Sequence, residues 1–192
     1  MAEWLNSFFA QYDYMILNSL HQLAVATEGA VTPLFMWISS LGNWGIGEIV
    51  LGLVLLCFKK TRKWGIAILG SMLLKELIGN LILKNLIARS RPCWIDTTVP
   101  LLVSSPSSYS FPSGHTFDAI AASVSIFLYN KKAGIAAIIV GLIISFSRMY
   151  LFVHFPTDVL ASMILGVLVA ILVHSIVEKF TGDNIYKIRR TI

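Results

Sequence analysis

An all-α integral membrane protein, a helical bundle of five to six transmembrane helices with amphipathic interfacial helices at the N-terminus, is predicted by three observations. Of 192 residues, 56% are hydrophobic and 13% charged, and mean hydropathy is +0.76; soluble domains carry about 25% charged residues. Apolar runs of about 20 residues, the length that crosses a bilayer, recur between residues 44 and 178. Clusters of Lys and Arg punctuate alternate breaks between those runs.

Residues 1–43 are amphipathic rather than spanning. Trp4, Leu5, Phe8, Phe9, Tyr12, Met15, Ile16, Leu20 and Leu23 recur at helical spacing, interrupted by Asn6, Gln11, Asp13, Asn18, His21 and Gln22. One or two helices lying at the interface are expected, with Trp and Tyr as anchors. Gly42-Asn43 breaks the pattern, and the first span covers about 44–58, or starts as early as Ile38, ending at Lys59-Lys60-Thr61-Arg62-Lys63. The second span, 64–88, carries Lys75, Glu76, Asn80 and Lys84, and Pro92 closes it. Residues 92–112 form a Ser- and Pro-rich connection long enough for a lid. Spans three to five cover 114–129, 133–150 and 156–178, the third ending at Asn130-Lys131-Lys132. The whole is expected to be one domain, 1–192, with a transmembrane core at 44–178 and a cytoplasmic tail at 179–192.

The clusters at 59–63, 131–132 and 179–190 hold ten of the fifteen Lys and Arg, and five spans put all three on one face. The positive-inside rule makes that face cytoplasmic. This placement accounts for the net charge of +5 without a nucleic-acid partner. Cys57 and Cys93 fall near opposite faces, so neither a disulfide nor a thiol metal site is expected. Apart from mid-span Lys75, the opposite face receives Lys84, Arg89, Arg91 and Arg148. No orientation signal explains those four.

They converge with other polar residues. Phe111-Pro112-Ser113-Gly114-His115 reads as a helix start, where Ser113 caps the first turn and Gly114 admits a ligand close to the backbone. Free amides and the dipole make such a start an anion site. Lys84 precedes Arg91 by seven positions, so both can project from one helical face. His154 lies six positions after Arg148, and Asp158 lies four further on, in the first turn after Pro156. Two His, one Asp, one Lys, two Arg and a Ser at one level suit phosphoryl transfer, which needs positioning and charge stabilisation. Lys84, Arg91, Ser113, Gly114 and Arg148 would hold the phosphate. His154, beside the Asp158 carboxylate, would be the nucleophile, and His115 the acid for the leaving oxygen. Arg89 reads as a supporting charge, and Lys75, Glu76 and Asn80 as a polar contact that Glu48 can join. Asp118, one turn after His115, reads as tuning that ring or meeting an entering head group. Trp94 and Tyr109 either anchor the long loop or line the entry.

Lys84-(six residues)-Arg91-Pro92, Pro112-Ser113-Gly114-His115 and Ser147-Arg148-(five residues)-His154-(three residues)-Asp158 resemble the tripartite signature of the type 2 phosphatidic acid phosphatase superfamily. The resemblance implies a metal-independent membrane lipid phosphatase, without cofactor, that works through a phosphohistidine. Its partners would be the bilayer and a lipid phosphate such as undecaprenyl pyrophosphate, phosphatidate or phosphatidylglycerol phosphate. The setting expected is a bacterial cytoplasmic membrane, with the site on the extracytoplasmic side. A vanadate-dependent haloperoxidase shares the signature but is large and soluble. A transporter would need a polar path through the inner halves of spans three to five. A non-catalytic lipid-binding scaffold would be expected to have lost His115, His154 or Asp158.

Overall fold

A computed structural model describes residues 2–189, with side chains through Thr181. Among the described residues every regular element is a helix: α1 (Ala2–Ala26), α2 (Thr32–Leu41), a 3₁₀ turn at Asn43–Gly45, α3 (Ile46–Leu56) and α4 (Arg62–Lys75) come first. A π-helical stretch, Glu76–Leu83, joins α4 to α5 (Lys84–Ile87); α6 (Pro92–Ile95), α7 (Gly114–Tyr129), α8 (Lys131–Tyr150) and α9 (Pro156–Arg189) complete it.

Among the described residues, four segments are long and apolar enough to cross a bilayer: Thr32–Leu56, Arg62–Ile95, Lys131–Tyr150 and Pro156–Thr181. This corrects the expected count of five to six. The expected third span is α7, whose 16 residues reach about 24 Å at 1.5 Å per residue, short of the ~30 Å hydrocarbon core. The first span also starts earlier than residue 44. The Gly42-Asn43 break is a kink within it, with Trp44 and Gly45 in the left-handed region at φ 60° and 63°. Residues 32–41 therefore belong to a crossing segment rather than to an interfacial one.

Short α7 is the centre of the bundle, packed against α4, α8 and α9. Phe117 and Ala121 are fully buried there with Ala67, Val169 and Val173, while Ile120, Ala122 and Ile126 fill the remaining faces. A helix buried on all its faces is what a central position produces, and its buried serines are bonded within the bundle, Ser123 to the Ala119 carbonyl and Ser125 to that of Ala121. Asn130 makes the tight turn into α8 by accepting from the Ala133 amide at 3.1 Å. The two helices meet so closely that a Cβ on Gly134 would stand 2.1 Å from Phe127 Cα. At that same end Lys63, opening α4, bonds Glu178 on α9 at 2.9 Å.

Alternation then gathers the other helix ends: the 88–91 segment, the start of α7, the end of α8 and the start of α9. Across them lies α1, which buries Asp13 and Leu17 and leaves Trp4, Phe8, Tyr12 and Met15 exposed. Its Leu17 packs on Phe152 and Phe155, in the turn between α8 and α9. The backbone of α9 runs on through the expected tail to Arg189. Of that basic tail, the Lys187 and Arg189 side chains and all of Arg190 lie outside the described residues.

Candidate functional site

A cavity of about 970 Å³ opens at this end, and Lys84, Arg91, Gly114, His115, Arg148 and His154 all line it. Asp158 and Ser113 stand behind the lining, both fully buried. The structure thus brings the sequence-predicted residues around one space, though several arrive by routes the spacing did not suggest.

The helix carrying Lys84 ends at Ile87, with Ala88 left-handed at φ 50°, four residues before Arg91. Lys84 and Arg91 therefore do not share a helical face. Arg91 leaves an extended segment (φ −79°, ψ 153°), and the loop draws the pair together: Lys84 Nζ donates to Ser108 Oγ at 3.1 Å and Arg91 Nη2 to the same oxygen at 3.3 Å. The π-helical stretch has its own effect. At about 100° per residue, positions 75 and 84 of a straight α-helix face opposite ways. The wider turns of Glu76–Leu83 cut the rotation, and both lysines reach the cavity.

Ser113 occupies the N-cap of α7 but makes no side-chain cap. Its hydroxyl accepts instead from Thr116 Oγ1 at 3.1 Å, which leaves the first-turn amides free for an anion. Arg148 donates through Nη1 to Ser39 Oγ. Its Nε is buried with no hydrogen-bond partner among the described residues. A buried guanidinium with an unused donor beside free helix amides is a receptor for a multiply charged oxyanion.

Arg91 Nη1 lies 3.0 Å from His154 Nε2 and donates also to the Val153 carbonyl at 2.8 Å. A guanidinium can only donate, so Nε2 accepts and the ring proton sits on Nδ1. Burial holds the His154 imidazole well below the ordinary histidine pKa, and the positive charges of Arg91, Arg148 and Lys84 add to it. The ring is thus a neutral base with its lone pair toward Arg91.

Asp158 is less direct a partner than expected. Its Oδ2 is 3.7 Å from His154 Nδ1, beyond hydrogen-bonding distance. The carboxylate instead accepts from Ser110 Oγ, from the Phe155 amide at 3.0 Å and from Arg89 Nη1 at 2.6 Å. Ser110 Oγ stands between carboxylate and ring, 3.5 Å from Nδ1. Spacing could not nominate Ser110, one of several serines in the 104–110 stretch. Arg89 is wholly buried, pairs also with Asp13 at 2.7 Å, and lies 4.1 Å over the Phe155 ring. It joins α1 to α9 behind the site.

His115 Nε2 is 3.0 Å from Asn43 Oδ1. A Cβ on Gly42 would come 2.9 Å from its ring, so the kink in the first span is packed against this histidine. In sequence, Asn43 carried only the signal of a helix break. Asn80 donates to Glu76 at 2.6 Å, as expected of that contact, but Lys75 lies nearer Asp118, at 2.8 Å, than Glu76, at 3.6 Å. Asp118 thus engages Lys75 rather than tuning His115.

Known proteins are similar to this chain in sequence and fold. An undecaprenyl-diphosphatase of Sulfolobus acidocaldarius is 37% identical over 114 residues, 59% of this chain and 55% of that protein, so the match spans little more than half of that relative. Undecaprenyl-diphosphatase BcrC of Bacillus subtilis is 27% identical over 160 residues, 83% of this chain and 81% of that one. The crystal structure of a transmembrane PAP2-type phosphatidylglycerolphosphate phosphatase from Bacillus subtilis superposes with a TM-score of 0.62 at 26% identity, covering 90% of this chain and 96% of that chain. The sequence model described as the PAP2 superfamily matches residues 64–181, from the start of α4 to the end of the apolar part of α9. With the three motifs of that signature drawn around one cavity in an integral membrane helical bundle, the chain belongs to the PAP2 superfamily.

Proposed function

We propose that the protein hydrolyses a lipid phosphate or pyrophosphate at the extracytoplasmic face of a bacterial cytoplasmic membrane, through a phosphohistidine on His154. The observation that carries this reading is the neutral His154 ring, its Nε2 lone pair held by Arg91 in a cavity shared with Lys84, Arg148 and the open amides of α7. Those cations and amides take the phosphoryl oxygens, and Arg91 passes from the ring to the substrate. His154 Nε2 then forms a bond to phosphorus while the bond to the leaving oxygen breaks. His115 takes up a proton as the phosphate's charge offsets the surrounding cations, and passes it to that oxygen. In the second step His115 takes a proton from water, the water oxygen bonds to phosphorus, and the P–N bond breaks to free phosphate and neutral His154. Ser110 and Asp158 stabilise the Nδ1–H side of the ring as it becomes positive.

The relatives named undecaprenyl-diphosphatase and phosphatidylglycerolphosphate phosphatase support a lipid phosphate or pyrophosphate as the substrate class. Undecaprenyl pyrophosphate is favoured over phosphatidate or phosphatidylglycerol phosphate, because an outward site suits recycling of a carrier lipid released on that side. The test is phosphate release from these lipids in detergent micelles with EDTA present. The expected result is turnover without added metal and an acid-labile, base-stable phosphoenzyme that His154→Ala lacks. Turnover that requires a divalent ion, or full activity in His154→Ala, overturns the mechanism.

A further inference from the structure

Lys75 is a cation that the phosphate site described above does not use. It is 7% exposed and lies mid-way along a span, where a charge is expensive unless it serves a purpose. Its ammonium lines the same cavity as Lys84 and Arg148 and would stand 3.9 Å from a Cβ on Gly114, the first residue of α7. Asp118 holds it at 2.8 Å; Glu76, at 3.6 Å, lies beyond hydrogen-bonding distance and already accepts from Asn80. An ammonium has three donors, so at least one N–H remains to turn toward the space in front of Gly114. Asp118 is itself nine-tenths buried, and its Oδ1 has no hydrogen-bond partner among the described residues. That leaves a second polar atom here without a partner.

Depth separates Lys75 from the other cations. It precedes Lys84 by nine residues, roughly 13 Å along a helix, and only the π-helical stretch turns both to one side. Lys84, Arg91 and His154 belong to the gathered helix ends, the outer side of the cavity in the proposed orientation. A lipid whose terminal phosphorus meets His154 must run back into the bilayer past the inner end. In a diphosphate, the phosphate bonded to the lipid chain then falls between the terminal phosphate and the hydrocarbon, within reach of the Lys75 ammonium.

We infer that Lys75, held in place by Asp118, is a specificity-determining contact for the chain-proximal phosphate of a lipid diphosphate, and that it selects diphosphates over monophosphates. The inference rests on the lipid phosphatase reading for its orientation of the substrate. When His154 takes the terminal phosphoryl group, the lipid monophosphate leaves, and Lys75 meets the negative charge growing on that leaving phosphate.

Two measurements test it. The first needs no turnover: thermal protection of detergent-purified protein by methylenediphosphonate and by inorganic phosphate. Wild type should bind the diphosphonate at least about tenfold more tightly, a difference of 1.4 kcal/mol. Lys75→Gln should lose most of that preference. Because Lys75→Gln leaves Asp118 buried without its cation, the neutral pair Lys75→Gln/Asp118→Asn is the second variant and should show the same loss. The other measurement is kcat/KM for undecaprenyl diphosphate and undecaprenyl monophosphate, where each variant should lose at least about tenfold more on the diphosphate. Lys75→Arg, which keeps the charge, should restore part of the preference. Equal losses on both ligands, or an unchanged preference in the neutral pair, overturns the assignment. If the preference falls as expected but wild type turns over neither lipid, the contact stands and the hydrolytic reading fails.

Discussion

The chemistry proposed for His154 depends on a proton being absent from one nitrogen and present on the other. Arg91 fixes the first condition by donating to Nε2 at 3.0 Å. Ser110, between Nδ1 and the Asp158 carboxylate, suits the second. Removing the ring by His154→Ala should therefore lower kcat/KM for the lipid substrate by at least about 10³-fold, while gel filtration still reports folded protein. Asp158→Asn should cost less than His154→Ala, since an orienting group forms no bond to phosphorus. The depressed basicity of His154 also has a thermodynamic consequence. Its folded-state pKa lies below the unfolded value of about 6.5, so as pH falls below 6.5 the unfolded chain takes up a proton that the folded chain refuses. Stability is then lost on acidification, with a slope of at most about 1.4 kcal/mol per pH unit for one group. Thermal unfolding in detergent between pH 7.5 and 5 should show the wild type falling faster than His154→Gln; parallel curves would mean the ring is freely protonated.

At the level of elements, the bundle depends on close approaches and on one buried cation. Gly134 sits where α7 and α8 diverge from Asn130, and a Cβ there meets the Phe127 backbone. Gly134→Ala should destabilise by about 1–3 kcal/mol or more, because backbone cannot rotate away. Gly141→Ala, whose nearest neighbour is Ser123 Oγ at 3.3 Å, should cost much less; equal losses in thermal unfolding would contradict the crossing. Arg89 bridges Asp13 on α1 and Asp158 on α9 with every charge buried. Truncating it to Ala strands two carboxylates, a change of about 3–5 kcal/mol, and limited proteolysis should then release α1 before the core. The sequence announced both ends of α7, the end of α8 and the start of α9 to the residue, because Pro112, the Asn130 break and Pro156 are strong local punctuation; α8 starts two residues earlier than expected and α9 runs on past 178 to Arg189. It did not announce the π-helical stretch, which no residue between Glu76 and Leu83 marks. Nor could it pair Arg89 with Asp13, since a contact across 76 positions leaves no periodic trace. The motif residues were legible because histidines and arginines stand out against an apolar chain. Ser110 and Asn43 were not, since serine and asparagine in loops are ordinary.

For the whole molecule, the deciding quantity is which end faces out. Lys63 and Glu178 meet at one end of the bundle, near the Lys59–Lys63 and Lys131–Lys132 clusters, and the cavity opens at the other. On the proposed reading, basic residues retained on the cytoplasmic side leave the cavity on the outside, and its cations Lys84, Arg91 and Arg148 take the substrate's phosphate instead of setting topology. Cysteine labelling decides this directly. In a Cys57→Ser/Cys93→Ser background, Ser105→Cys lies exposed in the loop over the cavity and Lys60→Cys lies exposed at the opposite end. A membrane-impermeant maleimide added to intact spheroplasts should modify position 105 and spare position 60, and lysis should expose position 60. The reverse pattern would put the cavity in the cytoplasm, where a carrier lipid released outside could reach it only after crossing the bilayer. The cation arrangement around His154 would survive that result, but the case for an extracytoplasmic pyrophosphate substrate would not.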